Sequence, residues 1–458
     1  MKNLTPKNIA ECCGGTFFGD PSILDREISA IVRDSRETVV GCLFAAIKGE
    51  RVDGHDFIPK VMADGAMLVL TEREETGREW PCILVESTLK ALQDIARFYL
   101  AGLPVRVVSV TGSVGKTSTK EMIASVLAQK FRTKKTQGNF NNELGLPLTV
   151  FTLEEEDEIA VLEMGINHFG EMDVLGSIAP PDISVITNIG TCHLEFLGDR
   201  DGVFRAKTEI FRHLKPGARV ILNGDDDKLA QVKEVAGAAP VFYGIENRSG
   251  VYADNIDFIG TEAVRCIIHV GEEAFSVRIP YPGLHMVMNA LAAASVGMEC
   301  GVLPAQIKAG IETLELPGGH FRIEDGKNCR IINDCYNANP MSMKAALKVL
   351  SESEDRKVAI LGDMAELGDD ELLYHREVGE YAASLPLDLI LTVGPRAASV
   401  AEAAAEKNAD LPVIHFENID ALKRALPVLI REGDLVLVKA SHSMAFEKVV
   451  DALKKETA

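Results

Sequence analysis

The stretch VVSVTGSVGKTSTKEM, residues 107–122, constrains this chain more than any other. An apolar run passes directly into a glycine turn and then into a helix start. Only a layered α/β fold offers a buried strand followed by a helix whose first N–H groups stay open to a ligand. The phosphate-gripping pattern G-x-x-x-x-G-K-[ST] calls for glycine at position 110, where Val110 stands. Val110 still belongs to the strand, so the turn begins one residue late and keeps its chemistry. Gly112, Ser113 and Gly115 let backbone N–H groups face phosphate oxygens, and Lys116 brings a point charge. Thr117, with Ser118 beside it, offers a hydroxyl for Mg²⁺. A nucleoside triphosphate site is expected here.

At 458 residues the chain exceeds one core and calls for about three domains. Strand-length apolar runs recur at α/β spacing through VRVVSVTG, EIAVLEMG, ISVITNIG and RVILNGDD. Residues 251–283 break that rhythm and read as an antiparallel flap. A second α/β rhythm starts near Pro317 with CRIINDCYN, KVAILGDM, LDLILTVG and DLVLVKA. Three domains are therefore expected: a small α/β unit over 1–85, a P-loop parallel-sheet unit with a β flap over 86–315, and a doubly wound unit over 316–458. No apolar run approaches a membrane span, and the first residues hold no secretory apolar core. Nine scattered cysteines without a C-x-x-C pair fit reduced thiols in a cytoplasm rather than disulfides or structural zinc. A net charge of −20 argues against nucleic acid or an anionic membrane as partner. It also requires any phosphate site to be locally basic.

Two further strands end on polar groups where α/β sheets place ligands. VLEMG ends on Glu163, and the loop after ISVITNIG carries His193. A carboxylate there asks for a partner, either Lys116 or a hard cation such as Mg²⁺. In DGVFRAKTEIFRHL, Lys207 falls on the stripe of Val203, Phe204, Ile210, Phe211 and Leu214. It is either a snorkelling lysine or a desolvated amine able to take up CO2 as a carbamate. His285 and Asn289 share one helix face, and Asn289 could read an adenine edge. Asp334, Asn337 and Asn339 follow one strand of the last unit, while Asp363, Glu366, Lys439, Ser441 and His442 end others. These residues alone leave open a P-loop ATPase or switch protein.

The motifs TGSVGKTST, GNFNNELGLPLT, LEMG, CHLE, RAKTEI, GLHMVMN and DCYNANP occur in the order seen in Mur ligases, which the whole chain resembles. Those are ATP-dependent amide-forming enzymes of bacterial cell-wall synthesis. DSRETVVGCLFAAIKGERVDGHDF resembles their UDP-binding domain, and NFNNELG with YNANP resembles the member that adds D-alanyl-D-alanine to a UDP-muramoyl tripeptide. Another amino donor within the family stays open. The resemblance implies a Rossmann-like last domain, two Mg²⁺ ions, small-molecule substrates and a monomer. By that resemblance, Lys116 and the loop hold phosphates, Thr117 and Glu163 hold one Mg²⁺, and His193 with carbamylated Lys207 holds the second. It likewise puts Asn289, Arg322 and Asp334 at the nucleotide, Ser35 and Arg36 at the uridine diphosphate, and Asn141 and Asn142 at the muramoyl peptide. Asn337 and Asn339 would face the dipeptide. The chain departs from the family pattern at Met286, at Arg322 (which follows Phe321 instead of the glycine), and at KASHS.

Overall fold

The computed structural model describes residues 1–49, 51–316 and 321–455. Among them three sheets are built in chain order. The first holds five strands: Thr16–Phe18, Ile31–Val32, Leu43–Ala45, Leu68–Thr71 and Cys82–Leu84. Its pairings are parallel except at Thr16–Phe18, which runs antiparallel to Cys82–Leu84. The expected cut at residue 85 precedes helix Thr88–Ala101, capped by the Ser87 hydroxyl, which accepts from Lys90 N at 3.3 Å. That helix buries Leu92, Ile95 and Ala96 in a single apolar cluster. The same cluster contains Leu43, Leu68 and Ile83 from the first sheet and Leu146, Leu162 and Leu175 from the next unit.

The second sheet has nine strands, and Arg106–Thr111 lies inside it between Ile159–Glu163 and Ile183–Ile186. RVVSVT is rich in β-branched residues and buried from Val107 onward, as a strand covered on both faces must be. The flap strands Val251–Ile259, Ala263–Val270 and Glu273–Ile279 are antiparallel to one another, as expected. They are not a separate lobe, because Val251 pairs in parallel with Tyr243 and continues the same sheet. Helix Leu284–Glu299 is apolar nearly all round and is correspondingly buried, packing with Met122 and Val126 of the helix that follows the P-loop.

The third sheet has six strands: five parallel ones and the antiparallel edge strand Arg322–Asp325. Helices cover both faces and give it two apolar clusters of its own. The expected boundary at 315/316 adjoins residues 317–320, which lie outside the described residues, as do the glycines of GGHFRIE.

Candidate active site

The P-loop strand is the switch point of the middle sheet, so three strand ends open side by side there. After Thr111 the backbone turns through Gly112 (φ 148°) to Gly115 (φ 80°), which precedes helix Lys116–Leu127. Two residues brace the loop. Thr187 Oγ1 and Asn188 Nδ2 donate to Val114 O at 2.7 and 3.0 Å, and Val114 N donates to Asn188 Oδ1 at 2.9 Å. A Cβ on Gly112 would stand 1.9 Å from Thr187 Oγ1 and 3.1 Å from Thr187 N. Gly112→Ala therefore cannot keep this loop. It is expected to destabilise the protein by about 1–3 kcal/mol and to weaken nucleotide binding, readable by thermal denaturation with and without ADP. A variant as stable and as responsive to ADP as the parent would contradict this packing.

The Lys116 ammonium lies inside the loop, donating to Gly112 O at 2.9 Å and Ser113 O at 3.4 Å. Thr117 Oγ1 donates to Glu163 Oε1 at 3.2 Å, and Asn141 Nδ2 donates to the same oxygen at 2.8 Å. Glu163 is 2% exposed, and its other oxygen is buried without a hydrogen bond. The nearest cation to that oxygen is Lys120, whose Nζ is 3.7 Å away. So Glu163 does not pair with Lys116, the alternative the sequence left open. Lys120 itself is 1% exposed, donates to Thr136 O at 2.8 Å and pairs with Glu121 at 3.0 Å. Sequence reasoning missed Lys120. Its spacing of four from Lys116 was the available signal, since i and i+4 share a helix face.

His193 closes the row. Its backbone is left-handed (φ 53°), and its Nδ1 lies 2.5 Å from Glu366 Oε2 of the third sheet. That hydrogen bond holds the Glu366 carboxyl below the usual glutamate range. Lys207 is fully buried, as its place on the apolar stripe implied, so it does not snorkel. Its Nζ has no hydrogen-bond partner. Burial lowers its pKa to about 8, helped by the charge of Lys116 and opposed by the Cys192 thiol.

These groups border a cleft of about 950 Å³, large enough for a nucleotide beside a second substrate. Ser113, Gly115, Lys116, Thr117, Ser118, Asn141, Asn142, Glu163, His193, Asn289, Asp334, Asn337 and Asn339 all line it. Several asparagines hold local structure. Asn142 Oδ1 accepts from Gly145 N at 2.8 Å in the turn before helix Gly145–Val150, and Asn339 Oδ1 accepts from Ser342 N at 2.9 Å, capping helix Pro340–Ser351. Asn289 Oδ1 accepts from Thr119 at 2.9 Å. Asp334 pairs with the buried Lys439 at 2.5 Å, and Lys439 also donates to Asn337 O at 2.9 Å. Half-buried His285, beside this pair, has its pKa lowered to about 4, chiefly by desolvation.

Five expected residues stand outside the cleft lining: Gly112, behind the phosphate loop, fully buried Lys207, and three more remote ones. Arg322 is exposed on the edge strand of the third sheet. Ser35 and Arg36 are in the first unit, where Arg36 Nε donates to Asp34 at 2.9 Å. The expectation of a locally basic site is corrected by the lining itself. Glu143, Glu171, Asp225, Asp226 and Asp227 join Glu163 and Asp334 there, and Lys439 is already neutralised. Arg200 also lines the cleft but is paired with Asp227 at 3.1 Å, so Lys116 and the open N–H groups at the start of helix Lys116–Leu127 remain to meet phosphate charge. Among the described residues no three His, Cys, Asp or Glu side chains could hold a metal ion by themselves. The orphaned Glu163 oxygen beside the Thr117 hydroxyl does suit Mg²⁺, which takes one or two carboxylates and completes its shell with phosphate and water.

The comparisons with known proteins cover nearly the whole chain. Residues 27–100 match the Mur ligase family catalytic domain, 110–297 the Mur ligase middle domain, and 321–442 the Mur ligase glutamate ligase domain. The UDP-N-acetylmuramoyl-tripeptide–D-alanyl-D-alanine ligase of Bacillus subtilis (strain 168) is 39% identical, with 99% of each chain covered. Its namesake in Escherichia coli (strain K12) is 37% identical at the same coverage. Among solved structures, MurF from Acinetobacter baumannii is 34% identical, with a TM-score of 0.89 and 99% of each chain covered. MurF ligase from Thermotoga maritima in complex with ADP is 31% identical, with a TM-score of 0.82 over 93% of this chain and 97% of that one.

Proposed function

The chain belongs to the Mur ligase family, and from that premise we propose that it joins D-alanyl-D-alanine to UDP-N-acetylmuramoyl-tripeptide at the expense of ATP. The product is the UDP-linked pentapeptide of peptidoglycan precursor synthesis, with ADP and phosphate, made in the cytoplasm. The observation that carries this reading is the row of strand ends that sets Lys116, Thr117, Glu163 and His193 along one cleft. A nucleotide switch has no use for such a second row of polar groups.

In this reading the terminal carboxylate of the peptide attacks the γ-phosphorus of ATP. An acyl phosphate forms and ADP leaves. The amine of the dipeptide then attacks the acyl carbon, loses its proton and expels phosphate. The protein contributes positioning and charge, as phosphoryl transfer requires. Lys116 and the loop amides hold the β- and γ-phosphates. Asn141 and Asn142 orient the peptide end, Asn337 and Asn339 the dipeptide, and Asn289 faces the adenine. Arg322 and Asp334 reach the nucleotide from the third unit, and Ser35 and Arg36 face the uridine diphosphate. Residues 1–85, 86–315 and 316–458 are assigned to UDP, ATP and dipeptide respectively. Thr117 and Glu163 would hold one Mg²⁺, and His193 with a carbamate on Lys207 a second. Cations held by these residues would supply positive charge against the anionic oxygens of the reactants. What supports the carbamate is a buried amine with no partner and a pKa lowered to about 8, since only the neutral amine adds CO2.

Phosphate release with ATP and Mg²⁺, leaving out each substrate in turn, tests the reading. Release is expected only with both UDP-muramoyl tripeptide and D-Ala-D-Ala, and mass spectrometry should show an acceptor heavier by one dipeptide residue. Release without either substrate and without a conjugate would reject it.

A further inference from the structure

His193 meets a residue that its role as a metal ligand, assumed from the reading above, does not explain. Glu366 comes from the loop after strand Lys357–Gly362 of the third sheet, and its carboxylate sits 2.5 Å from His193 Nδ1. An ionised carboxylate can only accept, so the proton resides on Nδ1 and the Nε2 lone pair is left for another partner. The seat is specific. Glu366 has a left-handed backbone (φ 62°), rare for a residue with a side chain, and its carbonyl accepts from Glu195 N at 3.5 Å. Gly368 (φ 71°) packs so closely that a Cβ there would be 3.3 Å from Glu195 N. Behind the contact, the loop is tied to its own sheet. Ala365 N donates to Ser441 Oγ at 2.8 Å, Ser441 N to Asp363 O at 3.0 Å, and Met364 N to His375 Nε2 at 2.9 Å. Ser441 belongs to KASHS, the segment that departs from the family pattern.

We propose that Glu366 is a positioning residue for the metal site: docked from the third sheet, it fixes the imidazole tautomer that presents His193 Nε2 to the divalent cation. The second cation site is then complete only when the third sheet is seated against the middle one. Histidines that ligate metals commonly donate their other N–H to a carboxylate, and losing that carboxylate costs about 10–100-fold in metal affinity.

The test is Mn²⁺ binding to the full chain with ADP, followed by electron paramagnetic resonance. Glu366→Ala should weaken Mn²⁺ binding by about 10–100-fold. Glu366→Gln, which keeps an acceptor oxygen, should recover most of the loss. In a His193→Ala background, Glu366→Ala should add nothing. A merely structural role would lower thermal stability in every background and leave the Mn²⁺ affinity of Glu366→Ala unchanged, which would overturn the proposal. Tighter Mn²⁺ binding in Glu366→Ala would overturn it too, by making Glu366 a competitor for His193. If the parent protein with ADP binds no Mn²⁺, the metal reading itself falls and this proposal with it; parent binding with an unaffected Glu366→Ala removes this proposal alone.

Discussion

Lys116→Ala is expected to lower ligase turnover by about 10²–10³-fold and to weaken ATP and ADP binding in parallel, because it removes the one cation inside the loop. The magnitude follows from the charge balance of the cleft. Its lining is rich in carboxylates, Lys439 is committed to Asp334, and Arg200 to Asp227. Little else in the lining can answer the charge of a triphosphate. Lys116→Arg should not rescue. The ammonium fits between the Gly112 and Ser113 carbonyls at 2.9 and 3.4 Å, and a planar guanidinium is wider than that gap allows. Calorimetric titration of ADP beside steady-state turnover checks both statements. Undiminished nucleotide affinity in Lys116→Ala would remove Lys116 from phosphate binding.

Lys207→Met separates activity from stability in opposite directions. Turnover should fall by at least about 10²-fold while ADP affinity stays within a few-fold of the parent, because Lys207 is buried outside the nucleotide loop. Stability should rise. The folded pKa of about 8 lies below the ordinary 10.5, so between those values the unfolded chain binds the extra proton. Stability therefore increases with pH across that window, and below pH 8 the folded protein carries the full cost of a buried charge, roughly 3 kcal/mol. Replacing the ionisable group relieves that cost. In CO2-depleted buffer the variant should melt above the parent at pH 7, and the gap should close towards pH 10. A variant that is fully active would end the carbamate reading. One that is less stable than the parent at pH 7 would contradict the burial argument.

What could be read in advance depended on how far apart the interacting residues are in the chain. The P-loop was visible because strand, turn and helix are contiguous between residues 106 and 127. Glu163 was visible because a carboxylate ending an apolar strand is anomalous by itself, and Lys207 because a stripe of apolar residues surrounds it. The short strands Thr133–Lys135, Val241–Gly244 and Arg322–Asp325 were not visible. Three or four residues carry no usable period, and two of these strands are charged because they lie at sheet edges. Lys120 was hidden because its partners Thr136 and Glu163 arrive from other segments, and the His193–Glu366 contact spans 173 positions. Asn142 and Asn339 line the cleft and also carry a local role that the sequence did not show: each amide oxygen accepts a backbone N–H near a helix start.

The apolar cluster that runs from the first sheet through helix Thr88–Ala101 into the middle unit makes those two units one cooperative body, whereas the third sheet has apolar clusters of its own. Three sheets thus amount to two mechanical parts. The groups assigned to UDP and to the peptide, together with the phosphate loop, ride on the larger part and cannot drift apart without exposing Leu92 and Ile95 to water. Asn337 and Asn339 belong to the smaller part, so any displacement of it would carry them away from Lys116 and Glu163 together, as one group.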